Sequence, residues 1–292
     1  MFGRQRRAGD GFVACACGRR HWGHFGAAGL LVNRGDEVLL QHRAGWSHEG
    51  GTWAVPGGAL DVDETPLDGA LREASEEAAV PASSVRPRHS WTVDHGTWAY
   101  TTVVSQAVGP ITPQRLDGES EELRWVRSGE VTSLPLHSGF AAGWPHVEGL
   151  LHRREAVVVD AANVVGSTPD GWWRDRAGAA GRLLEAVASW GGDGVEPSGL
   201  LEDVSGRTRA WPDWVVVLEG EARSARVPVS VPDHVDVRLA SGSGDDAVVD
   251  ASSHLRAGGC DVTVVTSDRE LRGRVTALGA RTVGPRALPV RP

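Results

Sequence analysis

Residues 58–80, GALDVDETPLDGALREASEEAAV, decide the fold of the first half of this chain. Thr65 is a typical N-cap residue and Pro66 suits the first helical position, so the pattern predicts a helix that runs to about Ala79. One arc of that helix carries the small and apolar side chains that would face a core, namely Leu67, Ala70, Leu71, Ala74 and Ala78. The segment therefore predicts a glycine-rich turn followed by an amphipathic helix.

Acidic side chains occupy a different arc of the predicted helix. Glu73, Glu76 and Glu77 fall within about 100° of arc when successive residues are spaced at 100°. An isolated cluster of this kind is also typical of a solvated helix face, which is the structural alternative. The turn before the helix, Glu64 within it and Arg72 beside the acids favour a metal site, because hard oxygen ligands suit Mg²⁺ or Mn²⁺.

The same segment resembles the signature of the Nudix hydrolase family, G-x5-E-x7-R-E-U-x-E-E-x-G-U, in which U is aliphatic. The residues in register are Gly58, Glu64, Arg72, Glu73, Ala74, Glu76, Glu77 and Val80. Ala79 stands where the signature has glycine, and an alanine in a left-handed turn costs about 1 kcal/mol. The resemblance implies an α/β/α sandwich with a mixed sheet, extending over roughly residues 26–151.

The Nudix resemblance also implies a reaction, the hydrolysis of a nucleoside diphosphate linked to another group. The residues that it implies as metal ligands are Gly58, through its carbonyl, Glu73, Glu76 and Glu77. The residues that it implies as catalytic are Glu64, Arg72, Glu76 and Glu77. In this reading Arg72 orients a carboxylate and Glu64 supports the loop. A further acid from a later loop is expected among Glu119, Glu121 and Glu122.

The second half of the chain predicts a parallel sheet covered by helices on both faces. Continuous apolar strands, such as the one ending at Asp160, alternate with helices predicted at about 172–190, 245–256 and 269–278. Acids recur where strands end or helices begin, at Asp160, Asp245, Asp246 and Asp268. The carboxyl ends of parallel strands meet at one crevice, so these acids predict a second metal site. Asp245 has a simple helix cap as its alternative.

This half resembles the NYN/PIN-like nuclease superfamily, whose pattern begins D-x-x-N. Asp160 and Asn163 meet that pattern, the helix-opening acids Asp245 and Asp246 follow, and V-T-S-D ends at Asp268. The resemblance implies metal-dependent cleavage of RNA, with the four acids as ligands and Asn163 positioning water or phosphate. A sheet that has lost catalysis and only binds RNA is the alternative.

A zinc site at Cys15, Cys17, His21 and His24 is a further hypothesis, since four potential ligands fall within ten residues. Their C-x-C and H-x-x-H spacing is tighter than in common zinc sites, where a longer loop separates two pairs. Ordinary packing and surface positions are the interpretation favoured by the sequence.

Length and composition bound the remaining possibilities. The 292 residues predict two domains after an N-terminal arm, namely an arm at 1–24, a Nudix domain at 25–152 and an NYN/PIN-like domain at 156–292. The net charge is −8 and every basic residue is arginine, which excludes a simple electrostatic clamp on DNA. Three cysteines, an arginine-rich start without an apolar core and the absence of a long apolar run predict a cytoplasmic protein without membrane contact.

Three functions are compatible with these patterns. The leading hypothesis is an Mg²⁺- or Mn²⁺-dependent Nudix pyrophosphohydrolase acting on a nucleotide, fused to a metal-dependent RNA-cleaving domain. The alternative is chiefly a ribonuclease or RNA-binding protein whose Nudix domain senses a nucleotide or an RNA 5′ end. The third is a nucleotide sensor without enzymatic activity.

Overall fold

The computed structural model of the chain describes residues 7–116, 118–167 and 171–289. The chain forms two compact units. The first comprises the residues up to His152 together with Ser205–Thr208, and the second comprises Arg153–Val204 and the residues from Arg209 onward. No helix within the described ranges is long and apolar enough to cross a membrane.

The first unit is built on a mixed sheet. The strands of the unit are β1 (Phe12–Ala14), β2 (Arg20–Trp22), β3 (Ala27–Arg34), β4 (Glu37–Arg43), β5 (Trp53–Ala54), β6 (Gly57–Ala59), β7 (Val85–Asp94), β8 (Ala99–Ala107) and β9 (Ser120–Arg127). The strands β1 and β2 form a hairpin of their own, and the others form the mixed sheet. The helices of the unit are α1 (Pro66–Ala78) and α2 (Ser138–Glu148).

A later segment of the chain, β11 (Arg207–Ala210), also joins this sheet. Eight strands pair in the sheet, in the order β11-β7-β8-β3-β4-β5, with β6 also paired with β3 and β9 also paired with β4. Strands β3 and β8 run parallel, whereas β7–β8, β3–β4, β3–β6, β4–β5 and β4–β9 are antiparallel. The mixed sheet expected from the sequence is confirmed.

Helix α1 lies on β3 and β6. Ala70, Ala74 and Ala78 are fully buried in the cluster that also holds Leu30 and Val103 of the sheet. Because these side chains are small, the helix backbone approaches the sheet closely, and burying the apolar arc turns the acidic arc away from this core.

A separate antiparallel hairpin precedes the large sheet, within the segment that the sequence predicts as an arm. Phe12 pairs with Trp22 and Ala14 with Arg20. The chain leaves this hairpin at Gly23, whose N–H donates to the Gly11 carbonyl at 2.7 Å and whose φ is +107°.

The second unit is a parallel sheet between helices. Its elements are β10 (Glu155–Asp160), α3 (Ala161–Gly166), α4 (Arg176–Asp193), β12 (Asp213–Leu218), β13 (Val235–Leu239), α5 (Gly244–Ala257), β14 (Asp261–Val265), α6 (Arg269–Ala277) and β15 (Arg281–Val283). The strand order is β13-β12-β10-β14-β15, and each neighbouring pair is parallel.

Both faces of this parallel sheet are buried, as its continuous apolar strands predict. Along β10, Val157 and Val159 join the core beneath α3 and α4. The alternate residues Ala156 and Val158 join a second core, which includes Val248 of α5. The parallel sheet covered by helices, expected from the sequence, is confirmed.

Helix α4 begins later than the sequence predicts. Residues Trp172–Arg174 form a short 3-10 turn, and the carboxylate of Asp175 accepts the Gly178 N–H at 2.8 Å, which caps the helix that follows. The sequence pattern places the aromatic pair inside the helix because it cannot detect this cap. Residues 168–170, which precede it, lie outside the described residues.

Candidate active site

Both ends of α1 are set by its local sequence. The Thr65 hydroxyl accepts the Asp68 N–H at 3.2 Å, and Pro66 occupies the first turn. Beyond Ala78 the chain turns in a left-handed conformation at Ala79, with φ 54° and ψ 36°. The predicted helix is therefore present with its predicted cap, and alanine adopts the strained turn in which glycine is favoured.

Arg72 is the centre of the polar network on α1. Its guanidinium donates to both carboxylate oxygens of Glu64, at 2.6 and 2.7 Å, and to the Ala59 carbonyl at 3.0 Å. Glu64 also accepts the Asp61 N–H at 2.9 Å, so the turn before the helix is tied to the helix itself. The hydrogen bonds from Arg72 lower the pKa of Glu64, and Glu64 in turn raises the pKa of Arg72.

Glu73 and Glu77 are buried carboxylates, each only 2% exposed. Arg72 donates to Glu73 at 2.5 Å, whereas the Gly57 N–H donates to Glu77 at 3.1 Å. A Cβ built on Gly58 would lie 2.7 Å from the Glu73 carboxyl group. The close approach of this carboxylate therefore requires glycine at position 58. This requirement is independent of the metal-ligand role predicted for the Gly58 carbonyl.

Glu76 lies at the rim of the same group, with its side chain 35% exposed. Arg7 donates to one of its oxygens at 2.5 Å, and Arg72 lies 3.6 Å from the other. The predicted residues Glu64, Arg72, Glu73 and Glu76 thus form one connected network, and Glu77 faces β6 beside it.

This donor set fits a divalent cation in its chemistry. Glu73 and Glu77 place carboxylate oxygens, the donors that Mg²⁺ and Mn²⁺ prefer, beside Gly57 and Gly58. These glycines have no side chains to fill the space next to the carboxylates. In the part of the chain that the structure describes, neither predicted acidic set has ligand oxygens of three residues within 4.8 Å of one another.

Comparison with known proteins identifies the first half of the chain. The family model described as the NUDIX domain matches residues 23–162. A Mycobacterium tuberculosis protein named "Putative 8-oxo-dGTP diphosphatase 3" is 50% identical over 150 residues, which cover 48% of this chain and 69% of that protein. The chain belongs to the Nudix family.

Two further Nudix relatives match the same half. A Bifidobacterium longum protein named "Nucleoside triphosphate pyrophosphatase/Nudix hydrolase fusion protein" is 44% identical over 47% of this chain, and the match spans only 30% of that longer protein. The crystal structure of RenU, a Nudix hydrolase from M. smegmatis, has 46% identity, covers 49% of this chain and 94% of that chain, and gives a TM-score of 0.45.

The acids expected from a later loop of the Nudix domain have partners of their own. Glu121 accepts the Gly45 N–H at 3.1 Å and lies 3.3 Å from His42. Glu122 lies 3.7 Å from Arg124, and the Glu119 carbonyl accepts the Ala44 N–H. These partners lie in β4, β9 and the segment after β4, so the structure gives no reason to choose one of the three as an assisting acid.

In the second unit, the ends of β10 and β14 come together through hydrogen bonds. Asp160 accepts the Thr266 hydroxyl at 2.8 Å and caps α3 through the Asn163 N–H. The side-chain amide oxygen of Asn163, Oδ1, accepts hydrogen bonds from both the N–H and the hydroxyl of Ser267, at 2.9 and 2.7 Å. Asn163 therefore links the two strand ends, and its expected positioning of water or phosphate stays a prediction.

Acids face one another at this edge of the sheet. Burial and the charges of Asp245 and Glu219 raise the pKa of Asp160, despite the hydrogen bonds that it accepts. Burial and the charge of Asp268 raise the pKa of Asp245. Glu219 is not among the acids predicted from the sequence, although it directly follows the apolar strand β12, much as Asp160 is the last residue of β10.

The structure separates the two acids that open α5. Ser243 is the N-cap of this helix, so the interpretation of Asp245 as a cap is wrong. Asp246 is exposed and pairs with Arg274 of α6 at 2.6 Å. Adjacent residues on a helix point about 100° apart, so the two acids face different neighbours, and a metal-ligand role for Asp246 stays a prediction.

The cysteine group of the first unit also differs from the zinc-site hypothesis drawn from the sequence. Cys15, Cys17 and His21 lie together, but the fourth member is His95 of the turn between β7 and β8. His24 lies beyond the turn at Gly23, and its ring faces Gly11. No sequence signal links His95 to this group, because the contact spans about seventy residues and is made by tertiary folding.

Proposed function

We propose that the Nudix domain hydrolyses a nucleotide at its diphosphate linkage and releases a nucleoside monophosphate. The observation that carries this proposal is the network in which Arg72 binds Glu64 with both oxygens and also binds Glu73. A guanidinium in this position orients two carboxylates beside a glycine turn, which is the arrangement needed to bind a cation and phosphate oxygens.

The residues that would hold a divalent cation such as Mg²⁺ are Glu73, Glu76 and Glu77, with the Gly58 carbonyl. When bound, the cation neutralises diphosphate charge and makes an attacking water more acidic. Glu64 keeps the loop against the helix, since it accepts hydrogen bonds from both Arg72 and the Asp61 N–H. Its lowered pKa keeps it ionised at neutral pH, so the pair persists under assay conditions.

The substrate class is a nucleoside diphosphate linked to another group. An oxidised guanine nucleotide such as 8-oxo-dGTP falls in this class, with phosphate as the linked group. It is our first candidate because the M. tuberculosis relative, 50% identical over the Nudix half, carries that activity in its name.

The test is a nucleotide panel that includes 8-oxo-dGTP, dGTP and sugar-linked nucleoside diphosphates, assayed with Mg²⁺ and analysed by mass. We expect turnover of at least one compound, and loss of at least about 100-fold in Glu77→Gln, which removes one ligand. Glu148→Gln is the matched control, because it makes the same change at an exposed helix position of the same unit. Equal rates in wild type and Glu77→Gln across the whole panel would refute the proposal.

A second activity is supported by the acids of the other unit. Burial and the charges of Asp245 and Glu219 raise the pKa of Asp160, burial and the charge of Asp268 raise the pKa of Asp245, and such a group of acids favours a divalent cation. We infer a metal-dependent cleavage of RNA phosphodiesters at this edge, with RNA as the partner of the second unit.

This inference is tested with a labelled single-stranded RNA and Mg²⁺ or Mn²⁺. Asp160→Asn and Asp268→Asn should abolish cleavage and spare nucleotide turnover, since asparagine still accepts the N-cap hydrogen bond. Cleavage that survives in both variants would contradict the inference. Tight, metal-dependent RNA binding without cleavage in wild type would favour the RNA-binding alternative instead.

A further inference from the structure

The turn between β1 and β2 carries two thiols that meet two imidazoles. Cys15 and Cys17 lie in this turn, His21 follows in β2, and His95 comes from the turn between β7 and β8. One ligand atom from each of the four lies within 4.8 Å of the other three. This group shares no residue with the Nudix helix and plays no part in the proposed hydrolysis.

One distance in this group matches that between two corners of a tetrahedral zinc site, and a second is a few tenths of an ångström shorter. Cys17 Sγ lies 3.1 Å from His21 Nε2, and His95 Nδ1 lies 3.3 Å from the same nitrogen. Zn–N bonds of about 2.0 Å and Zn–S bonds of about 2.3 Å place neighbouring ligand atoms about 3.3–3.8 Å apart. Two sulfurs and two nitrogens form a donor set that selects zinc over magnesium, which prefers oxygen.

The surrounding residues hold these ligands in place. The Thr97 hydroxyl donates to Cys15 Sγ at 3.4 Å and accepts the Ala16 N–H, so it connects the two turns. The ring of His21 stacks on Trp98, with centroids 4.1 Å apart and planes at 10°. These contacts orient the sulfur and the imidazole before any ion binds, as outer partners do in metal sites.

We propose that Cys15, Cys17, His21 and His95 bind one Zn²⁺ ion as a structural site. On binding, the two thiols lose their protons to solvent and each sulfur forms a bond to zinc, while the two neutral imidazoles each donate a lone pair. The site then has no net charge, which suits its half-buried position. Four protein ligands leave no open position for substrate, so the ion joins the N-terminal hairpin to the β7–β8 turn.

The test measures metal in the full-length protein, purified with reductant and then passed over a weak chelator. We expect about one equivalent of zinc per chain. Replacement by Co²⁺ should give a thiolate-to-cobalt charge-transfer band, which the oxygen ligands of the Nudix helix cannot produce. That band separates this site from any cation held by Glu77.

Matched variants test the ligand set. Cys17→Ser should weaken the cobalt band, since it removes one of the two thiolates, and both Cys17→Ser and His95→Ala should weaken zinc binding at least about tenfold. His24→Ala and Cys260→Ser are the controls, because His24 lies outside the group and Cys260 is buried in the second unit. Both controls should keep one equivalent and the band.

A readout without variants covers the case in which a substitution prevents folding. Cys17 is exposed, so a thiol reagent should modify it rapidly in the metal-free wild type and slowly once zinc is bound. The proposal is overturned if wild type shows no cobalt–thiolate band, or if zinc leaves Cys17 reactivity unchanged. It is equally overturned if Glu77→Gln removes the zinc and Cys17→Ser retains it.

Discussion

The acids of the Nudix helix are neighbours along one element, whereas those of the second unit arrive from the ends of β10 and β12 and from the starts of α5 and α6. In the first unit Arg72 lies among the acids, and its hydrogen bonds lower the pKa of Glu64. In the second unit the acids face one another, and the pKa values of Asp160 and Asp245 rise.

The two acidic sites are stabilised in different ways. A site with an internal guanidinium is held together before any cation binds, because the ion pair supplies the opposite charge. At Asp245 burial and the charge of Asp268 outweigh the charge of Arg274, so a proton or an added cation stabilises this site. We therefore expect divalent metal to stabilise the second unit more than it stabilises the loop around Arg72.

The largest effect is expected from Arg72→Ala. It leaves the half-buried Glu64 and the buried Glu73 without their shared guanidinium, and we expect the first unit to lose about 3 kcal/mol of unfolding free energy. Arg72→Lys should recover only part, since lysine cannot bind both Glu64 oxygens in a planar fork. Hydrogen exchange measured by mass spectrometry localises the loss to residues 59–78. Unchanged protection there would show that the network does not stabilise the loop.

A contrast between two aspartates tests the geometry of the second site. Asp268→Asn should reduce RNA cleavage at least about 100-fold, as expected for a lost metal ligand. Asp246→Asn should leave the rate within about twofold, because Asp246 is exposed and pairs with Arg274, and substitutions at exposed positions have small effects. Equal losses of cleavage rate in both variants, measured on the same RNA, would show that Asp246 contributes to the cleavage site.

The turn that ends α1 predicts a smaller effect of known sign. Ala79 has a φ of 54°, so Ala79→Gly should stabilise the first unit by about 1 kcal/mol by removing the left-handed penalty. Ala78→Gly, one residue earlier within the helix, should destabilise it by about 1 kcal/mol or more. Chemical denaturation of both variants checks the opposite signs; destabilisation by Ala79→Gly would contradict the turn geometry.

The smallest effect concerns pH and separates the two acidic sites. The folded pKa of Glu64 lies below its unfolded value, so its stabilisation is present above that unfolded value and is lost as the pH falls through the folded pKa. The folded pKa of Asp245 is raised, so its contribution is the reverse: stability falls as the pH rises above the unfolded pKa.

Asp245→Asn should therefore stabilise the second unit at neutral pH without divalent metal, by on the order of 0.5 kcal/mol. The gain should vanish below about pH 4, where the wild-type carboxyl is protonated. Asp250→Asn, exposed on the same helix, should show no such gain. Exchange rates of second-unit peptides across this pH range provide the measurement, and a gain that persists in acid would exclude relief of repulsion as its cause.

Features that depend on near neighbours in the chain are predictable from the sequence alone. The helix over residues 66–78, its Thr65 cap and the left-handed Ala79 follow from propensities and spacing within a few residues. The parallel sheet of the second unit followed from continuous apolar strands, since only a sheet buried on both faces needs them.

Only the tertiary structure decided which side chains meet across long separations. His95 lies beside the two cysteines, and Glu219 lies near the acids of the second unit. Asp246 forms an ion pair with Arg274 of α6. Chain spacing carries no information on such meetings, because they depend on strand order and on which way each helix face turns. These contacts are set by burial of the cores on which the elements pack, and the polar groups meet as a consequence.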